Sequence, residues 1–119
     1  MVIEQRIDVR ELLHYVYTSF NARNIDAALE VIHPDADWAN TMEGGLVKGH
    51  EGIRDCWSRQ WSYIDPHVKL IDVEVDEEGR VVADAHQIIR DMTGAIVSIR
   101  DIQHIFEIED GLLRTMRIR

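Results

Sequence analysis

Three side chains of this 119-residue sequence have the types and spacing for acid–base chemistry: His86, Asp101 and Asp84. A carboxylate hydrogen-bonded to a ring nitrogen orients an imidazole and stabilises its protonated form, so such a group can act as general base or general acid. Inside an apolar pocket, desolvation and the neighbouring carboxylate push the histidine in opposite directions. A cross-strand pair without chemistry is the simpler account of the same residues. Around them, Asn40 and Gln103 carry amides able to hydrogen-bond a carbonyl or enolate oxygen. Tyr17, Trp38, Trp61 and Met116 are candidates for the wall of a ligand pocket, since aromatic surfaces suit flat rings. Packing in the core would use the tryptophans equally well.

Other chemistries find less support. Six histidines are present, but there is no His-Glu-x-x-His, no cysteine pair and no dense ligand cluster, so no metal is expected. Gly44-Gly45 and Gly49-His50-Glu51-Gly52 match neither Walker nor dinucleotide spacing, and no cofactor is expected.

The elements that must position these residues follow from periodicity. Val9, Leu12, Leu13, Val16, Tyr17 and Phe20 repeat as one face of a helix, with Asp8 as its cap and Glu11 three residues on. A shorter helix from Asn24 buries Ile25, Ala28, Leu29 and Ile32 and must stop at His33, before Pro34. An extended piece covers 36–42. Helical spacing returns with Ile53, Cys56, Trp57, Trp61 and Ile64, and closes at Pro66. From His67 onward the period is two, punctuated by Glu78-Gly79, Thr93-Gly94 and Asp110-Gly111, so four antiparallel strands form a meander covered on one face by the helices.

Hairpin arithmetic then gives a register. With Thr93-Gly94 as a two-residue loop, Ile88 lies opposite Ile99, His86 opposite Asp101 and Asp84 opposite Gln103, and this is taken as the inner face. Across the next turn Gln103 faces Ile118, Ile105 faces Met116 and Glu107 faces Arg114. The other face carries Ala83, Ala85, Ile89, Ile102 and Phe106, an apolar patch that implies a homodimer, with Gln87, Arg100, His104 and Arg117 as its polar contacts.

Composition bounds the rest. At 13.8 kDa, 45% apolar and 29% charged, the chain reads as one globular domain over residues 1–119. Its 22 acidic against 13 basic residues give a formal charge of -9, which repels nucleic acid and anionic membranes. Cys56 stands alone and Met1 to Arg10 holds charges in place of an apolar run, so the cytoplasm is the expected compartment.

The order helix, helix, short strand, helix, meander resembles the nuclear transport factor 2-like superfamily, with its ketosteroid isomerase and SnoaL-like polyketide cyclase branches. The resemblance is carried by Ala22-Arg23-Asn24-Ile25-Asp26 through Asp35-Ala36-Asp37-Trp38-Ala39-Asn40 to Gly49, and by Ile102-Gln103-His104 leading to Asp110-Gly111. It implies an α+β cone in which a curved, mostly antiparallel sheet wraps three N-terminal helices around a largely apolar pocket. It also implies a homodimer. The isomerase machinery itself is missing. The catalytic carboxylate falls on Asn40, the oxyanion-hole tyrosine on Val16 between Tyr15 and Tyr17, and the protonated acid on Gln103.

The expected function is therefore a small cofactor-independent enzyme of isomerase or cyclase type, acting on an apolar oxygenated molecule. His86 would move the proton and Asp101 orient it, with Asp84 beside them. The rival is a non-catalytic ligand-binding or dimeric interaction protein on the same fold, favoured by the amide at Asn40.

Overall fold

A computed structural model of the chain describes residues 8–119; the export reading of the first ten residues falls largely outside that range. Helix α1 (Val9–Asn21) begins where the cap was expected, the Asp8 carboxylate accepting from the backbone N–H of Arg10 at 3.0 Å and of Glu11 at 3.3 Å. Its apolar stripe is buried at Leu13, Val16 and Tyr17. Helix α2 (Ile25–Glu30) is capped by Asn24, which accepts from the Ala27 N–H at 3.1 Å. It stops at Glu30, short of His33, because Ile32 already belongs to strand β1 (Ile32–Ala39), and Pro34 sits within that strand.

A short strand β2 (Leu46–Lys48) then leads into α3 (Gly49–Trp61), which starts earlier than Ile53 and ends before Ile64. Gly49 makes this junction possible: its φ is 69°, and a Cβ there would stand 3.1 Å from the Pro34 carbonyl oxygen. The meander follows as β3 (Asp65–Val75), β4 (Val81–Arg90), β5 (Ile96–Glu109) and β6 (Leu112–Ile118). All the strands form one six-stranded sheet in the order β2-β1-β6-β5-β4-β3, mixed because β1 runs parallel to β6 while every other pair is antiparallel. The parallel pair is long-range and leaves no turn signal, so periodicity did not announce it.

The body of the β4–β5 hairpin has the expected register, with His86 opposite Asp101, Asp84 opposite Gln103 and Ile88 opposite Ile99. Its loop differs. Asp91 N–H bonds the Ala95 carbonyl at 2.9 Å, so the loop is Met92-Thr93-Gly94, and an irregularity between Ile89 and Arg90 absorbs the extra residue. The β5–β6 pairing is displaced by one residue near the chain end, where His104 faces Ile118 and Phe106 faces Met116. Glu107 lies opposite Thr115, and Arg114 pairs instead with Glu109 at 3.0 Å.

The largest correction concerns the faces. The helices cover Ala83, Ala85, Ile102, His104 and Phe106, all buried, while His86, Asp101, Asp84 and Gln103 lie on the opposite, outward side. The apolar patch expected to need a partner is therefore the core itself, and Gln87 and His104, expected as dimer contacts, are buried within the chain. Turn type fixes which residues sit opposite one another, but not which side of the sheet the helices choose. The small side chains of Ala83 and Ala85 give the helices room there. Asn21 fastens the arrangement at the sheet edge, its side chain donating to the Val68 carbonyl at 2.7 Å and accepting from the Val68 N–H at 2.9 Å.

Candidate functional site

A hollow remains where α1, α3 and the turn after β1 stand over the covered face of the sheet. Helix α1 contributes Tyr17 and Phe20, β1 contributes Trp38, the turn after it Asn40, and α3 contributes Trp57 and Gln60. Gln87, His104, Phe106 and Met116 complete it from the sheet. Among the described residues no Asp, Glu, Lys or Arg lines this space, so it suits an uncharged ligand. The hollow is narrow, with about 60 Å³ for the centres of water-sized molecules. One water needs about 10–15 Å³, and a cavity that holds benzene has about 150 Å³. As it stands, the closed part accepts the oxygen-bearing end of a molecule, with the remainder in the open mouth.

At its inner end the Tyr17 hydroxyl meets Nδ1 of His104 at 2.7 Å, fully buried, with the rings 5.7 Å apart and edge-on. Burial holds the His104 pKa down at about 4 and pushes that of Tyr17 well above its ordinary value. Both groups are consequently neutral at pH 7. Two proton arrangements satisfy the contact. In one, Tyr17 donates to Nδ1, and Nε2 carries the ring proton. In the other, Nδ1–H donates to the phenol oxygen, leaving the Tyr17 proton free to donate elsewhere and Nε2 free to accept.

Asn40 faces the hollow but is heavily committed. Its oxygen accepts from the N–H of Met42 at 3.3 Å, the N–H of Glu43 at 3.0 Å and the Gln60 amide at 2.8 Å, so it holds the turn after β1 and leaves only its NH2 for a ligand. Gln87 is the opposite case. It is 6% exposed, lines the hollow and makes no side-chain hydrogen bond to the described residues.

Of the residues singled out in the sequence, Tyr17, Trp38, Asn40 and Met116 come together here. Trp61 stands just outside, its ring 5.3 Å from that of Phe20, with the Arg23 guanidinium 4.9 Å above it. Gln103 points outward, donating to Asp84 at 2.8 Å and accepting from Arg119 at 2.9 Å. His86 and Asp101 do meet, Nδ1 to Oδ1 at 2.7 Å, but on the outward face, where the Asp101 side chain is 88% exposed. Sequence reasoning thus missed His104, Gln87 and Gln60. The strand held only half a signal: Ile102 and Phe106 flank His104 at period two, but Ile99 and Ile105 mark the side of Asp101 and Gln103 in the same way.

The tightest group of possible metal ligands among the described residues is His33, Glu109 and Asp110. Nδ1 of His33 accepts the Asp35 N–H at 3.0 Å, so the ring proton sits on Nε2, the nitrogen 3.9 Å from Asp110. Carrying that proton, the nitrogen has no lone pair to offer a cation. No helix among the described residues is long and apolar enough to cross a membrane.

Comparison with known proteins places this geometry in context. Residues 13–116 match the model of the SnoaL-like domain. Among solved structures, TerC crystallised with polyporic acid superposes with a TM-score of 0.79 at 21% identity, over 92% of this chain and 88% of that one. An NTF2-like protein of unknown function from Burkholderia pseudomallei gives 0.79 at 17% identity, again over 92% and 88%. A candidate polyketide cyclase from Xanthomonas campestris pv. campestris gives 0.75 at 20% identity, over 92% and 87%. At these identities the likeness is one of fold. No functionally curated protein matches.

Proposed function

The chain belongs to the SnoaL-like domain family of the nuclear transport factor 2-like superfamily, and from that premise we propose that it is a cofactor-independent enzyme of isomerase or cyclase type that moves protons on a small uncharged ketone. One observation carries the reading: the buried 2.7 Å contact between Tyr17 and His104 in a hollow without charged walls.

The chemistry follows from what burial forbids. A phenolate or an imidazolium would be costly at this depth, so a stepwise transfer through either ion is disfavoured. A relay avoids both. Starting from the tautomer with Nδ1–H, Tyr17 gives its proton to the ketone oxygen and takes one from Nδ1, while Nε2 takes the proton from the α-carbon. The ketone becomes an enol, the imidazole ends with its proton on Nε2, and no net charge appears at any point. Running the relay backward onto a different carbon isomerises the substrate, and an enol formed this way is a nucleophile for ring closure. The resemblance placed the oxyanion-hole tyrosine on Val16 and its acidic partner on Gln103; Tyr17 and His104 stand one residue beyond each. In this reading the helices and sheet make the family's cone.

The test is deuterium exchange at C2 of 1-tetralone in D2O, followed by NMR. The parent protein should accelerate exchange, and Tyr17→Phe and His104→Gln should each lower the rate by roughly 100-fold or more. The amide at Asn40, where a carboxylate base would be expected, favours a second reading, a binding protein. Saturable binding of the ketone without exchange would establish that reading instead.

We also propose that a second copy covers the outward face of the sheet. Ile71 and Ile99 are 58% and 56% exposed there beside the His86–Asp101 pair, and acidic and basic groups alternate in a pattern that can complement itself across a two-fold axis. Light scattering should give twice the chain mass, falling to one chain in Ile99→Glu.

A further inference from the structure

The relay accounts for one end of the hollow and leaves Gln87 unexplained. A buried amide normally finds partners, because leaving its donors and acceptor unmet costs free energy. Gln87 has none among the described side chains although it is 6% exposed. The enclosed polar atoms without a partner among the described residues are Trp61 Nε1 and Arg114 Nη1, so the Gln87 amide, bonded to no described side chain, stays open to the hollow and calls for a partner inside it.

Its position indicates what kind. Gln87 lies four residues along β4 from Ala83, the cross-strand partner of His104, which is about 13 Å at the usual rise of a strand. Ile89, two residues further along the same face of β4, is buried as well, so Gln87 stands inside the covered space, while the exposed lining residues Thr41 and Met42 mark the opening. Side-chain reach from both ends shortens the gap to about the length of a two-ring skeleton. With the ketone held at Tyr17, the far end of such a molecule comes within reach of Gln87 on the wall of the same hollow. With no charged group lining the space, the function that Gln87 meets is itself neutral.

Resting on the proposed function above, we propose that Gln87 is the specificity-determining residue of this site and that the substrate carries a second uncharged oxygen, a hydroxyl or carbonyl, at the end remote from the reacting ketone. A site built around a buried hydrogen-bonding group discriminates against analogues that lack the matching oxygen.

The experiment compares the affinities of 1-tetralone, 6-hydroxy-1-tetralone and 6-carboxy-1-tetralone by quenching of tryptophan fluorescence, with C2 deuterium exchange measured separately. In the parent protein the hydroxy ketone should bind about tenfold more tightly than the unsubstituted one, the worth of one neutral hydrogen bond. The carboxylate should bind more weakly than either. In Gln87→Met, and independently in Gln87→Leu, the ratio of hydroxy to unsubstituted affinity should fall to about one. A parent ratio near one, a tenfold ratio that persists in the variants, or a carboxylate that binds as well as the hydroxyl would overturn the assignment while leaving the relay standing. A ratio that behaves as expected without any exchange would overturn the relay and keep Gln87 as the reader. Failure of all three ketones to bind would overturn both.

Discussion

The Tyr17 hydroxyl and Nδ1 of His104 stand 2.7 Å apart although 87 residues separate them in the chain. Each removes the other's need for water. A phenol and an imidazole that are both buried cost least when they satisfy one another, and the same contact makes them a donor and acceptor pair facing one hollow.

Tyr17→Phe should therefore cost stability as well as activity. It leaves the His104 nitrogen buried without its partner, a penalty of about 1–3 kcal/mol. Urea denaturation should show a lower midpoint with an unchanged slope, alongside the loss of ketone exchange.

His104 should leave a signature in the pH dependence of stability. Above pH 6.5 it is neutral in both the folded and unfolded chains. Between 6.5 and about 4 the unfolded chain takes up a proton that the folded chain refuses, so the folded state loses ground as pH falls. The slope approaches about 1.4 kcal/mol per pH unit, or roughly 3 kcal/mol across the window, and ends once the folded histidine also protonates. Denaturation midpoints at pH 7, 5.5 and 4.5 should fall more steeply in the parent than in His104→Gln; equal slopes would refute this.

His86→Ala and Asp101→Asn should leave ketone exchange at the parent rate, because the pair faces away from the hollow. In the Ile99→Glu background, which keeps the chain single, their effect on stability should be under about 1 kcal/mol, as is usual for ion pairs open to water. A large loss of exchange in either variant would restore the outward pair as the catalytic one.

Asn40→Ala should destabilise by about 1–3 kcal/mol, since three donors lose one acceptor. Asn40→Asp keeps an oxygen in that place and should recover most of the loss. Thermal unfolding of the two variants distinguishes this holding role from one in ligand binding alone.

The fold was largely legible in residue order because its devices are local. Asp8 and Asn24 announce two helix starts within a single turn of chain, and the pairing of His86 with Asp101 follows from turn residues only a few positions away. The site was less so. Strand β5 carries Ile99 and Ile105 on one side and Ile102 and Phe106 on the other, so alternation alone gives two plausible inner faces. Which of them the helices cover depends on the free energy of burying a whole face at once, a quantity spread over residues far apart in sequence. That choice exchanged His86 for His104 and Gln103 for Gln87 at the hollow. The sequence by itself determined the first two helix starts, the four strands of the meander and which residues lie opposite one another in the body of the β4–β5 hairpin, because caps, turns and period act over a few residues. Only the tertiary structure decided which side of the sheet became the interior, and with it which histidine can do chemistry.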